Sequence, residues 1–248
     1  MANLNTLDVF FSSQTFHEEE LRKKVVVVID VLRASSTIIT ALMNQAKGII
    51  PVEDMGEASR ISQSVDSDNL LLCGEKDGAK IEGYDLGNSP LEYTAERVKG
   101  KTLIFNTTNG TKAVKKAVGS SNLFIGSFLN LSTIVHTLNH ETRDIVLICA
   151  GWRGRMAIED LLLAGNIVYN LGNGTLPHEA RDGSKVAFGL FEKFRDNVPE
   201  VIHSSNHAER LKDISGEDGA KDLDYCSQRD ICDILPVLND GIITNMYG

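Results

Sequence analysis

Several things are scarce in this chain, and each scarcity excludes something. No stretch approaches the roughly 20 consecutive apolar residues that a spanning helix needs, and the opening MANLNTLDVFFSS lacks a basic segment followed by a long apolar core. Neither a membrane anchor nor a secretion signal is therefore expected. Four cysteines are present, Cys73, Cys149, Cys226 and Cys232, none in paired CxxC spacing. That pattern suggests neither a zinc knuckle nor a disulfide framework, and a reduced, cytoplasmic protein is the simplest expectation. Positive charge is also short, with 25 Lys and Arg against 34 Asp and Glu, a formal balance of −9. Such a balance argues against nucleic acid or an anionic membrane as partner. An anionic ligand would have to meet positive potential built locally from a few arginines and helix ends.

Familiar phosphate motifs are missing too. No GxxxxGK[ST] occurs and no GxGxxG follows a strand, so P-loop and dinucleotide readings fail on the letters. Asp30 is followed by Val31-Leu32, which removes the DxD of aspartyl-phosphate dehalogenase-type enzymes. The six histidines lie in helical or terminal segments and not in the polar loops described below, which leaves a serine-hydrolase triad poorly supported. Internal repeats and low-complexity linkers are absent, so residues 1–248 read as one domain.

What is present centres on Val25 to Leu42, VVVVIDVLRASSTIITAL. Its β-branched run is too short for a membrane and predicts a strand buried on both faces. A helix follows within a few residues. Asp30, Arg33, Ser35, Ser36 and Thr37 crowd the turn between them. Open α/β sheets bind ligands at such turns, where free N–H groups and the helix dipole favour an anion. The hydroxyls add donors, and the Arg33 fork suits phosphate, sulfonate or carboxylate. Asp30 is the misfit, because its carboxylate would repel an anion unless a cation sat between them. The same residues also suit plain helix capping with Arg33 paired to Asp30, and both readings stand at this point.

Along the chain, strands are expected at Leu7 to Phe11 (an edge), Gly48 to Val52, Leu70 to Cys73, Thr102 to Phe105, Leu123 to Ile125 and Asp144 to Ala150. Helices are expected at Glu53 to Val65, Leu91 to Val98 behind Ser89-Pro90, Lys112 to Val118, Leu129 to Leu138 and Ala157 to Leu171. This alternation implies a largely parallel sheet covered on both faces. Beyond Gly172 the chain turns more helical, with amphipathic segments at Ser184 to Arg195, Ser204 to Ile214 and Asp218 to Cys226, and Ile231 to Met246 is ambiguous.

Polar loops follow strands at Asp30 to Thr37, Glu75 to Asn88, Asn106 to Thr111 and Gly151 to Asp160. If the strands are parallel, these loops gather at one edge of the sheet. They would supply carboxylates (Asp30, Glu75, Glu159, Asp160), cations (Arg33, Arg153) and many small donors, an inventory for a multiply charged anion bridged to a hard cation such as Mg²⁺. Glu159 and Asp160 would equally complement the dipole of their own helix. The spacing Cys149 to Arg155 resembles a tyrosine-phosphatase loop, but an apolar cysteine ending a buried strand is more often core.

Taken together, VVVIDVLRASSTI, GEKDGAKIEGYDLGNSP, the NTTNGT turn and CAG followed by IEDLLLAG resemble the ComB family of 2-phosphosulfolactate phosphatases, from about Val25 to Gly165. The resemblance implies an α/β/α three-layer sandwich, with a sheet that is largely parallel or mixed. It also implies a Mg²⁺-dependent hydrolase converting (R)-2-phospho-3-sulfolactate to 3-sulfolactate and phosphate, as in coenzyme M biosynthesis. Asp30 becomes the leading metal ligand, with nucleophilic attack as its alternative role, and Glu75, Glu159 and Asp160 are further candidates for metal or acid–base work. As neighbours on a helix point about 100° apart, only one of Glu159 and Asp160 is expected to be a direct ligand. Arg33, Ser35, Ser36, Thr37, Asn109, Gly110, Thr111 and Arg153 would bind the small anionic substrate. Another phosphorylated 2-hydroxy acid as substrate, and a non-catalytic anion-binding protein, stay open, as does a homo-oligomeric state.

Overall fold

The computed structural model describes residues 6–63 and 69–247. Strand β2 (Val25–Ile29) is buried along its whole length, and its residues serve two cores in alternation. Val25, Val27 and Ile29 face one, Val26 and Val28 the other. A run with no polar alternation is stable there because both faces are covered. Parallel neighbours β7 (Asn122–Gly126) and β8 (Ile145–Cys149) flank it, and β1 (Leu7–Phe10) lies beyond β8 at the edge.

A second parallel group holds β3 (Gly48–Val52), β6 (Thr102–Asn106) and β4 (Leu70–Lys76), with the short antiparallel β5 (Ala79–Lys80) outermost. Between the two groups sits a C-terminal hairpin, β9 (Pro236–Asn239) and β10 (Ile242–Asn245), giving the order β1-β8-β2-β7-β9-β10-β3-β6-β4-β5. The hairpin lies within Ile231 to Met246, the stretch whose sequence is ambiguous. Each of the steps β7 to β9, β9 to β10 and β10 to β3 is antiparallel, so the two parallel groups run in opposite senses. The polar loops do not therefore lie on one edge of a uniformly parallel sheet, as expected from alternation.

Helices cover both faces, making an α/β/α three-layer arrangement. On one side α1 (Ala34–Met43) and α4 (Gly110–Lys116) share a core with both strand groups: Ala34, Ile38, Ala113 and Val114 pack with Val26, Val28, Ile49, Cys73 and Phe105. On the other, α5 (Leu131–Asn139) and α6 (Ile158–Leu171) pack on β2, β7 and β8. The C-terminal helices α7 (Asp182–Phe194), α8 (Val198–His203), α9 (Asn206–Ser215) and α10 (Glu217–Cys226) add Phe191, Ile202, Leu211 and Leu223 to that core. The outer face of the second strand group is covered by α2 (Met55–Ser62), through Ala58 against Val52 and Ile104.

Two expected helices differ. The first starts at Met55 because Asp54 caps it, its side chain accepting from Glu57 N; the expected end at Ser64 and Val65 lies outside the described residues. Leu91 to Val98 is split into a 3₁₀ turn, Pro90–Glu92, and a short α3 (Ala95–Val98). Tyr93 breaks it, buried with its hydroxyl donating to Gly87 O at 2.6 Å. Among the described residues no helix is long and apolar enough to cross a membrane.

Candidate active site

The four polar loops do meet. A solvent-open cleft is lined by Asp30 and Arg33 from the first loop, Glu75, Asp77 and Asn88 from the second, Thr108 and Asn109 from the third, and Trp152 and Arg153 from the fourth. The shared core around α1 and α4 brings them together, since it ties the ends of oppositely running strands to one pair of helices. One side of the cleft comes from α9, which presents His207, Arg210, Leu211 and Ile214. Those positions follow the i, i+3, i+4, i+7 stripe of a single helical face.

Asp30 stands where β2 gives way to α1. Its N–H donates to Ser35 Oγ at 2.9 Å, and one carboxylate oxygen accepts from Ala34 N at 3.3 Å. Gly110 closes in from α4: a Cβ there would lie 2.7 Å from Asp30 Oδ2 and 2.5 Å from the Ala34 Cβ. Only glycine allows that approach. Burial pushes the Asp30 carboxyl up to about 6; nearby His207 opposes the shift, while the Glu75 and Glu159 charges add to it.

Glu75 ends β4 and is fastened by its surroundings. Oε1 accepts from Thr108 N at 2.6 Å, and Oε2 accepts from Gly78 N at 2.7 Å and Thr108 Oγ1 at 3.0 Å. Asp160 is buried and does not line the cleft. Its two oxygens accept from Val31 N at 2.9 Å and Gly151 N at 3.1 Å, stitching the turns after β2 and β8 together. Burial, then the charges of Glu159 and Asp30, hold its carboxyl well above the usual carboxylate range.

Glu159 faces away from Asp160, as the helical repeat requires. Its Oε1 accepts from His207 Nδ1 at 2.7 Å, and its buried Oε2 has no partner. The His207 ring stacks on Trp152, centroids 5.3 Å apart and planes 21° from parallel, and the Arg153 guanidinium lies 4.8 Å from the Trp152 ring centre. His207 was missed from sequence because it sits in a distant helix instead of a polar loop. The signal available was Ser205, an N-cap that marks His207 as first-turn, where ligands are often met.

The proposed hydroxyl cradle is turned inward. Ser35 Oγ bonds within the turn. Ser36 Oγ donates to Val31 O and lies 2.8 Å from Ser127 Oγ, while Thr37 Oγ1 donates to Asn88 O. Thr111 exchanges hydrogen bonds with Thr107. Expected as ligand donors, these side chains instead each satisfy a buried backbone group, which would otherwise be costly, and they do not line the cleft. Arg33, Asn109 and Arg153 do line the cleft, and Gly110 backs it against Asp30. Cys149 is wholly buried at the end of β8, and burial pushes its thiol well above the ordinary value, so it presents no thiolate.

Among the described residues no three His, Cys, Asp or Glu side chains are grouped as a ready metal cage. Magnesium does not need one, because it usually takes one or two protein carboxylates and completes its shell with water and substrate phosphate. Asp30 and Glu75, both oxygen donors on the cleft, fit that mode. Burial, with the Glu75 and Glu159 charges added to it, disfavours the ionised Asp30 carboxylate, and a bound cation would offset that.

A family model described as 2-phosphosulpholactate phosphatase matches residues 10–241. Curated relatives named "Probable 2-phosphosulfolactate phosphatase" include one from Caldanaerobacter subterraneus subsp. tengcongensis, 40% identical over 237 residues, covering 96% of this chain and 97% of that protein. Another, from Thermotoga petrophila, is 42% identical over 219 residues, with 88% and 91% covered. A third, from Clostridium beijerinckii, is 34% identical over 238 residues, with 96% and 98% covered.

Proposed function

Since the chain belongs to the 2-phosphosulpholactate phosphatase family, we propose that it is a phosphoric monoester hydrolase that uses Mg²⁺ to convert (R)-2-phospho-3-sulfolactate to 3-sulfolactate and phosphate. The reaction would serve a coenzyme M type of biosynthesis, in the cytoplasm. The observation that carries the mechanism is the meeting of Asp30 and Glu75 with Arg33, Arg153, Arg210 and His207 in one cleft. An anion receptor gains nothing from carboxylates so placed, whereas a phosphoryl-transfer site needs a cation on them.

Asp30 and Glu75 would hold the metal. Bound Mg²⁺ would supply charge neutralisation at the phosphoryl oxygens and orient them for in-line displacement by water. Asn109 and Arg33 bind and orient the phosphate at the helix starts of α4 and α1. Glu159 is better placed as the orienting partner of His207 than as a ligand, because its Oε1 accepts from Nδ1 and, unlike Asp30 and Glu75, it does not line the cleft. With Nδ1 engaged, Nε2 is the ring nitrogen that moves a proton. Phosphoryl transfer passes through a loose transition state in which charge gathers on the bridging oxygen. A proton delivered there from Nε2 as the O–P bond breaks lets the 2-hydroxy acid leave with its hydroxyl protonated, and the proton that the attacking water leaves on the phosphate restores the ring. Stacking on Trp152 restricts the ring to that task. The carboxylate and sulfonate of the substrate need cations of their own, and Arg153 and Arg210 are the arginines at the cleft beyond Arg33.

Phosphate release from a panel of phosphomonoesters, with Mg²⁺ and with a chelator, tests this reading. Release that prefers phosphosulfolactate and requires Mg²⁺ is expected; saturable binding of the panel without any release would leave an anion-binding protein.

A further inference from the structure

The α9–α10 segment contributes more than a wall. Asp222, on α10, is fully buried and outside every loop that lines the cleft. Its Oδ2 accepts from Arg33 NH1 at 2.6 Å and its Oδ1 from Ser89 Oγ at 2.6 Å. Arg33 is itself 5% exposed and uses NH2 to donate to Gly78 O at 3.1 Å. Gly78 in turn donates its N–H to Glu75 Oε2. A continuous chain of contacts therefore runs from Asp222 through Arg33 and Gly78 to Glu75, and a branch through Ser89 fixes the far end of the same long loop.

A guanidinium has five N–H donors in a rigid fork, and these bonds commit two of them. The plane and direction of the rest are then set before any ligand arrives. Buried ion pairs are poor sources of stability, since apolar replacements of similar volume are often as good. What an apolar pair could not do is hold a cation in one orientation against a cleft. We propose that Asp222 is a positioning residue, which aims Arg33 at the substrate phosphate and sets the Gly78–Glu75 edge of the site. This rests on the phosphatase reading of the cleft.

A double-variant cycle tests it, using Asp222→Asn, Arg33→Met and the pair together. Two readouts are taken in Mg²⁺ buffer: kcat/KM for phosphosulfolactate, and calorimetric binding of inorganic phosphate. Asp222→Asn should lower kcat/KM by roughly 10- to 100-fold, the scale for partners that orient a functional group. The double variant should fall within about threefold of Arg33→Met alone, because coupled residues are not additive. A wild-type-like Asp222→Asn, or losses that multiply in the double variant, would overturn the proposal. Should Asp222→Asn fail to fold, Asp222→Glu keeps the charge but moves it by a methylene. It should unfold cooperatively yet lose about tenfold or more in kcat/KM, and near-normal turnover there would be equally fatal. A wild-type protein that binds phosphate but releases none from any ester defeats the phosphatase reading, and the binding cycle then judges Asp222 by itself. Failure of the wild type in both readouts defeats both.

Discussion

At the scale of single residues, Asp30 carries the largest unfavourable electrostatic burden in the cleft. Its folded-state pKa lies above the ordinary value, at about 6 against 3.8. Without metal, the stability it contributes is complete below the ordinary carboxylate range and is lost as pH rises through about 6. Asp30→Asn should therefore stabilise the chelator-treated protein above that pH, by up to about 3 kcal/mol, and should make little difference near pH 3.5. Thermal melts of both proteins at the two pH values check this; identical melts at high pH would refute the burial argument. His207 can be tested through the leaving group. His207→Gln should lose about 10²–10⁴-fold on an alkyl phosphate, the usual worth of general acid catalysis, and far less on an aryl phosphate whose phenolate leaves unaided. Equal losses on both would make His207 a binding residue. Asp30, Glu75, Arg33 and Arg153 were legible in the sequence because each sits in a polar loop after an apolar strand. His207, Arg210 and Asp222 were not, since a polar residue on an amphipathic helix looks solvated until the helix is docked.

Among the elements, the strands read best, because β2, β6 and β8 are apolar runs closed by polar turns. The hairpin of β9 and β10 escaped, although Asp240-Gly241 is a hairpin-turn pair and takes the left-handed φ of 49° and 81° that such a turn needs. Its strands are short, and it joins each parallel group through a single paired position, Phe124↔Val237 and Ile243↔Ile49. No local pattern announces that a C-terminal hairpin divides the sheet and reverses half of it. The inward turn of the Ser36, Thr37 and Thr111 hydroxyls is illegible for a related reason: letters place a hydroxyl in a turn, but packing decides which way it faces. The approach of α4 to α1 yields an element-scale prediction. Gly110→Ala puts a methyl against Ala34 and the Asp30 carboxylate. It should cost about 1–3 kcal/mol, as overpacking does, and should depress kcat by displacing Asp30. Wild-type melting and turnover would mean that the two helix starts can separate without consequence.

Over the whole molecule, a chain of formal charge −9 gathers Arg33, Arg153 and Arg210 around one cleft. The two strand groups run oppositely, yet their loops converge because both pack on α1 and α4, and the C-terminal helices close the remaining side. The central claim is that this cleft hydrolyses a phosphomonoester with a metal held at Asp30. The most direct test is phosphate release from (R)-2-phospho-3-sulfolactate by the wild-type protein and by Asp30→Asn, each with Mg²⁺ and with chelator. Release by the wild type in Mg²⁺ alone, with Asp30→Asn folded and reduced by at least about 100-fold, is the predicted result; wild-type rates in chelator or from folded Asp30→Asn would contradict it.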